Sequence, residues 1–527
     1  MSAMAPIEQI DPSDGKDAHA GIDQLDDVEN CPADLKPDRT MQAPPMVRDM
    51  TAEERKRKER IMVRKIDFRL LPPVIIMYIM NYLDRRYADM GLRNNIATAR
   101  LSGEEGLQEG LNMTDQQYET CVSILFVGYI LMQVPSNLFL NKVGKPALYL
   151  PAVMVIWGAI STATAGAQNF GGMVAIRFFL GFIEAAYFPG CLYFLSCWYT
   201  RKELAFRSAI LYSGSLISGA FAGLIAAGIT DGMDGKLGLP AWRWLFIIEG
   251  AITVAIAGIA FFILPNFPRT TGWLSEEERQ LAVWRLQEDI GIDDWTTSEE
   301  QSFWHGFSLA IKDIKVWVLM IMLLGIVSSA SVTNFFPSVV QTLGYGRINS
   351  LLLTAPPYIL AMITAFLNAL HADKSGERFL HITLPLLVAM AAFILAACTT
   401  AVAPRYVAMM LMVPGIYTGY VIVLAWISNT IPRPPAKRAA ALALINAVSN
   451  AASIYASYMY GGAPRYITAF SVNCCTAFLA ILMAALLRIM LVRQNKKLDR
   501  GEVLEDGITG GGHGEGEAAQ KGFRYLV

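Results

Sequence analysis

MVAIRFFLGFIEAAYFPG, residues 173–190, reads as part of a membrane-spanning helix that carries Arg177 and Glu184 in an otherwise apolar run. Seven residues is close to two helical turns, so both charges share one face, roughly 10 Å apart along the axis. Hydrocarbon is a costly place for either group. Such residues face a bundle interior or a water-filled cavity and mark a substrate or proton path. The competing reading is a structural ion pair between helices; the functional one is preferred.

The composition agrees with a membrane protein. Of 527 residues, 54% are hydrophobic and 17% charged, against about 25% charged in soluble domains. The mean hydropathy is +0.37. The apolar residues fall into separated runs of about 20, each able to span a bilayer. The seven cysteines are scattered without CxxC spacing, which argues against a disulfide framework or zinc site. No nucleophile, metal or cofactor motif is legible, so neither an enzyme nor a cofactor is expected.

The chain divides at its composition shifts. Residues 1–66 form a polar, acidic tail ending in a basic flank; eight Lys or Arg lie between Arg55 and Arg69. That flank abuts the first span. The positive-inside rule explains it without nucleic acid and puts the N-terminus in the cytoplasm. Residues 67–265 make a first six-helix bundle and 313–492 a second. Between them, 266–312 is a cytoplasmic connection in which Ser275 and Glu278 form a capping box that opens an amphipathic helix. Residues 493–527 form a cytoplasmic tail, flexible over ITGGGHGEGEAAQKG. The twelve spans fall near 68–90, 118–140, 147–166, 172–195, 207–229, 243–265, 313–336, 350–371, 379–400, 405–430, 438–461 and 466–491. Loops such as NKVGK, WYTRKELAFR, ADKSGER and IPRPPAKR are basic and alternate with loops poor in Lys and Arg. Both termini are thereby cytoplasmic. The fold class is all-α and polytopic, in two pseudo-symmetric halves. Outside, Asn112 begins an N-x-[ST] sequon and is a possible glycosylation site, whereas Thr114 is suited to cap the second span.

The candidate chemistry gathers on spans 1 and 4. Asp84 and Arg85 follow Tyr78 and Tyr82 about two-thirds of the way across the first span. With Arg177 they share a depth, and Glu184 lies beneath. Guanidinium forks bind carboxylates bidentately and shed water more readily than an ammonium does. Two arginines in a central cavity therefore predict an anionic substrate. Burial and a nearby arginine act oppositely on a carboxylate's proton affinity, which makes Asp84 and Glu184 the natural proton carriers. Asn446 and Asn450, one turn apart on span 11, suit either a ligand or a neighbouring helix. So do Trp426 and Asn429 on span 10. Glu249 reads as more structural than functional. Ser213, Gly214, Ser215, Ser218 and Gly219 mean tight helix packing.

These residues carry a resemblance. NYLDRRYADMGLRNNI, LNMTDQQYETCVSILFVGYILMQVPSNLFL, RFFLGFIEAAYFPGCLYFLSCWYTRKELAFRSAILYSGSLISGAF and WRWLFIIEGAITV resemble the major facilitator superfamily. Within it the chain is most similar to the anion:cation symporter branch and its fungal allantoate-permease-like group, with nicotinate, pantothenate and biotin-type vitamin permeases. The likeness runs from about Lys65 to Arg493. It implies anion binding and proton coupling at Asp84, Arg85, Arg177 and Glu184, and substrate contact at Asn446 or Asn450; Tyr82 is added as a substrate-binding candidate from its place beside the charged pair. Two departures stand out. NKVGKPALY lacks the acidic residue of the superfamily's loop signature, although ADKSGER keeps an Asp. Arg86-Tyr87-Ala88-Asp89 replaces a small polar and Asn-Ile-Gly run.

The expectation is a proton-coupled symporter that imports a small organic anion through a fungal plasma membrane, with an endomembrane as the alternative site. It would work as a monomer by alternating access of its two halves. The alternative is an exporter of a drug or secondary metabolite by proton antiport. Such antiporters carry a Gly-Pro signature in span 5, and SGSLISGAFAGLIAAG has no Pro.

Overall fold

The computed structural model describes residues 43–102, 107–290, 303–334, 340, 343–344, 353–456, 459–460, 465–500 and 523–527, with the side chains at 84–102 and at scattered positions in 108–122 and 219–231 left outside. The described residues are helical almost throughout, as apolar segments of this length must be when no water is present to satisfy backbone N–H and C=O groups.

The first half comprises α1 (Ala52–Ser102), α2 (Asp115–Val143), α3 (Pro146–Ala163), α4 (Phe170–Glu184), α5 (Tyr187–Ser196), α6 (Leu204–Met233) and α7 (Ala241–Ile263). Two connecting helices follow, α8 (Glu276–Ile290) and α9 (Phe303–Lys312). The second half comprises α10 (Ile314–Ala330), α11 (Ala355–Ser375), α12 (Phe379–Cys398), α13 (Val402–Thr430), α14 (Pro435–Asn450) and α15 (Ile467–Asp499). Among the described residues ten helical segments, α4 and α5 counted together, are long and apolar enough to cross a membrane. The two further spans expected from sequence correspond to α6, with 30 residues, and α14, with only 16.

Three boundaries differ from the sequence reading. The basic flank expected to precede the first span is itself helical, because α1 starts at Ala52. Span 4 is two helices: α4 stops at Glu184 and α5 starts at Tyr187. Pro189 supplies the cause, since it has no N–H to offer the carbonyl of Ala185 and its ring crowds that carbonyl. Span 11 stops at Asn450 instead of running on to 461; Ala451 turns there and a separate short helix, Ala452–Ala456, follows.

Local signals set the ends of other helices. Thr114 caps α2 through a full capping box with Gln117, as its sequence position implies. Ser275 and Glu278 do the same for α8, with both bonds at 3.2 Å. That helix lies against the first half. Arg285 reaches Glu203 and the Trp198 carbonyl, while Glu277, Glu278 and Glu288 pair with Lys58, Lys65 and Arg55 of α1. Lys65 and the Ser275 cap hold the Glu278 carboxyl below its usual range against the opposing effect of its partial burial.

Helices within each half pack as neighbours: α2 on α4, α3 on α7, α1 on α6, α12 on α13, and α10 on α15. The halves meet through α2 with α14 and through α6 with α11. The end of the molecule that carries Lys142, Arg201 and Lys437 is called the basic end below. There, Asn137 donates to the Ala439 carbonyl at 2.7 Å, tying α2 to α14. On the other pair, the Asp373 carboxylate at the end of α11 accepts from the backbone amides of Ala205 and Phe206 at 3.3 and 2.8 Å. Those amides belong to the first turn of α6, which has no intrahelical partner to offer them. Arg378 bonds both Asp373 and the Arg201 carbonyl, at 2.8 and 2.9 Å. The acidic residue kept in ADKSGER thus joins the two halves. In NKVGK the matching side chain, Asn141, is neutral and accepts from the Tyr193 hydroxyl.

The α2–α4 seam is the closest in the first half. A Cβ on Gly181 would stand 2.0 Å from the Leu125 carbonyl oxygen, and one on Gly128 would stand 2.3 Å from that of Phe178. Backbone cannot yield as a side chain can. Gly181→Ala is expected to lower the melting temperature of detergent-solubilised protein markedly, or abolish folding, by fluorescence-detected size exclusion. Gly258→Ala, which meets open space, should change it little.

Candidate functional site

The site is built around α4. Asn169 caps it, its Oδ1 accepting from the Gly172 amide at 2.8 Å. The apolar run then carries the helix into the bundle, and Gly181 sets it against α2. Arg177 and Glu184 are each 2% exposed. Arg177 lies within electrostatic reach of Cys121 on α2. Glu184 is the last residue of α4, directly before the break that Pro189 causes.

Beyond the break, α5 opens a column of aromatic rings. Tyr187 and Phe188 follow Glu184 within one turn and stack on Tyr78 of α1 at 6.2 and 5.3 Å between centroids. Tyr82, half-buried, sits edge-on to Tyr78 at 4.9 Å. Tyr78 is 6.3 Å from Tyr212 of α6. Tyr212 in turn lies 5.4 and 4.8 Å from Tyr417 and Tyr420 of α13. The column therefore crosses from one half to the other. It reaches α10's end too, where Thr333 Oγ1 and the Tyr417 hydroxyl are 3.0 Å apart. Offset and edge-on rings at these distances attract by about 0.5–1.5 kcal/mol a pair.

A second polar group lies on the α2–α14 contact. Gln133 is 0% exposed, and neither atom of its amide has a hydrogen-bond partner among the described residues. Asn446 is buried as well, and its Nδ2 likewise has none there. The Asn137–Ala439 bond fixes their register. Moving away from the basic end, Gln133 is one turn above that bond, about 6 Å, and Asn446 nearly two turns, about 10 Å. Buried amides without partners are rare and mark sites completed by a ligand or water. Asn450 differs, because its Nδ2 donates to the Asn446 carbonyl at 2.7 Å and is satisfied within its own helix.

The predicted residues thus separate. Arg177 and Glu184 share α4, Tyr82 joins the ring column, and Asn446 is buried on α14, the helix that packs on the α2 of Gln133. Asp84 and Arg85 belong to the α1 backbone, but their side chains lie outside the described residues. Asn112 is exposed, with φ of 49°, in the turn before the Thr114 cap. Glu249 is buried on α7. Trp426 and Asn429 prove to be closure contacts at the basic end: the indole donates to the Leu526 carbonyl at 2.9 Å and the amide to the Arg201 carbonyl at 3.3 Å. Gly219 lies outside the described side chains, but Gly214 and Ser218 pack α6 on α1 as expected; Ser218 donates to the Ile79 carbonyl at 3.1 Å. Sequence reading missed Gln133, Tyr212, Tyr417 and Tyr420. The first was legible as a lone amide inside SILFVGYILMQVP, whereas the tyrosines come together only through the fold.

A cavity of about 460 Å³ opens at the basic end. Among the described residues, Lys142, Lys145, Arg201, Arg269 and Arg438 line it with one carboxylate, Asp289.

Comparison with known proteins agrees with this geometry. The sequence matches the Major Facilitator Superfamily over residues 66–457, and the chain belongs to that superfamily. It is 34% identical to the MFS-type transporter cnsO of Penicillium expansum over 83% of this chain and 84% of that one. It is 29% identical to a protein of Agrobacterium vitis described as a candidate tartrate transporter, over 83% and 93%. Among solved structures, the proton:xylose symporter XylE superposes with a TM-score of 0.60 at 15% identity, covering 80% of this chain and 95% of that one. The fold is that of the superfamily, and the protein is a multi-pass membrane transporter rather than an enzyme.

Gln133 gives a direct test of the site. Replacing a buried, unpartnered amide by an isosteric apolar group removes an uncompensated desolvation cost of about 1–3 kcal/mol. Gln133→Leu should therefore hold or raise the melting temperature while lowering transport at least tenfold. A variant that loses stability and transport together would mean that Gln133 is bonded in the resting protein.

Proposed function

We propose that this chain is a proton-coupled symporter that imports a small organic anion, a carboxylate, by alternating access of its two six-helix halves. The observation that carries the reading is the burial of Arg177 and Glu184 on one face of α4, next to a helix break and a ring column shared by both halves. A guanidinium at that depth recruits a carboxylate bidentately. Glu184 supplies a titratable group two turns further in, about 10 Å along the axis, so that protonation and anion binding act on one electrostatic account. Asp84 and Arg85 complete this arrangement as a second proton carrier and a second anion ligand. Tyr82, Gln133 and Asn446 offer hydrogen bonds and an apolar wall that select among carboxylates, with Asn450 supporting Asn446.

Two further observations favour an anion. Among the described residues the cavity at the basic end has five cationic side chains to one carboxylate, a field that draws an anion from the centre toward that end. A relative from Agrobacterium vitis is described as handling tartrate, a dicarboxylate. The basic end then faces the cytoplasm in a fungal plasma membrane, with both termini on that side.

The test is uptake of labelled carboxylates into transporter-deficient yeast at acidic and neutral external pH. Nicotinate, allantoate, pantothenate and tartrate would be compared in wild type, Arg177→Ala and Glu184→Gln. Uptake should rise at acidic pH, and Arg177→Ala should abolish it. Glu184→Gln should lose net accumulation while retaining exchange of substrate across the membrane. If no anion enters at either pH and the cells instead gain resistance to a toxic compound, proton-driven export is the better account.

A further inference from the structure

Residues Phe523–Val527, FRYLV, are seated on the basic end with Phe523 and Tyr525 each 3% exposed. Every helix of the second half that reaches the segment bonds it differently. The Arg378 amide, at the start of α12, donates to the Val527 oxygen at 2.8 Å. The Trp426 indole of α13 donates to the Leu526 carbonyl at 2.9 Å. The Asn495 side chain of α15 brackets Tyr525, donating to its carbonyl at 2.9 Å and accepting from its amide at 2.8 Å. Lys315 of α10 lies 3.4 Å from the Tyr525 hydroxyl and 5.1 Å from its ring centre.

The first half contributes one residue to these described contacts. Arg201 donates through Nη1 to the Arg524 carbonyl at 2.8 Å and lays its guanidinium over the Phe523 ring at 4.4 Å. Arg201 is itself part of the seam between halves: its carbonyl accepts from Arg378 and Asn429 of the second half. The segment therefore fills the angle between a residue of one half and four helices of the other. Burying two aromatic side chains there excludes water from the Arg378–Asp373–Arg201 bonds and strengthens them.

We propose that the basic end is a binding surface for the chain's own residues 523–527, and that this segment is a strap which stabilises the closed arrangement of the two halves. It rests on the alternating-access reading given above. When the halves part, the contacts to the second half can persist, but those to Arg201 must break. The strap thus raises the free energy of opening without touching the transport site. Release of the strap, by modification of the segment or by a competing partner, would speed opening.

The test needs no substrate. Spin labels go on Lys142→Cys and Lys374→Cys, two exposed positions at the basic end, one in each half, with the native cysteines replaced. Pulsed dipolar spectroscopy in nanodiscs then gives the fraction of molecules with the halves apart. Removal of residues 523–527 should raise the open-to-closed ratio about tenfold, the ratio set by 1.4 kcal/mol. The peptide FRYLV, added in trans to the strapless protein, should reverse the change, which separates strap release from misfolding. Tyr525→Ala should fall between. An unchanged distance distribution, or a change that the peptide does not reverse, overturns the proposal. If the strap responds as expected but no form of the protein carries an organic anion, the strap stands and the substrate reading falls.

Discussion

The Asp373 carboxylate occupies the first turn of a helix that belongs to the other half of the molecule. Its two oxygens take the amides of Ala205 and Phe206, and Arg378 holds the carboxylate in place while bonding the Arg201 carbonyl. A helix start presents amides that nothing in the helix can satisfy, and a partial positive charge. A carboxylate answers both at once. Because Asp373 and Arg378 come from one loop of the second half and Arg201 from the first half, the closed geometry of the basic end depends on this cluster. On the α2–α14 side Asn137 donates to the Ala439 carbonyl, and Arg438 of α14 donates to Cys197 Sγ at 3.5 Å and lies over the Tyr193 ring.

The interior follows a different rule. Among the described residues the charges buried there include Arg177 and Glu184 on one face of α4 and Glu249 on α7, while tyrosines of α1, α6 and α13 meet between the halves. Rings suit that position because they can slide past one another at small cost, as rigid charge pairs cannot. The buried amides of Gln133 and Asn446 add polarity on α2 and α14.

Much of this was legible from residues alone. The two charges seven apart in MVAIRFFLGFIEAAYFPG pointed to a helix that turns them inward, and both are buried on α4; the capping boxes at Thr114 and Ser275 gave two helix starts. Other features were hidden for physical reasons. The ring column joins residues more than 300 positions apart, from Tyr78 to Tyr420, and no local period encodes such a meeting. The break after Glu184 was written in Pro189, but a lone proline in an apolar run signals a kink without giving its size. Trp426 and Asn429 carry the residue types of a ligand contact, and only their bonds to Leu526 and Arg201 reveal that they close the basic end. The strap had no sequence signal, since five residues are too few for a pattern.

The glycine seam between α2 and α4 bears on affinity. With the Leu125 carbonyl where a Cβ of Gly181 would have to be, the two helix backbones touch directly, and no rotamer change can let one drift from the other. Arg177 stands one turn from that contact. Its Cα is therefore located by backbone rather than by the packing of flexible side chains. A ligand that binds its guanidinium loses only the side chain's own freedom and has no helix to order. Binding at such an anchor is expected to depend on the ligand's fit, with little entropy left for the protein to surrender.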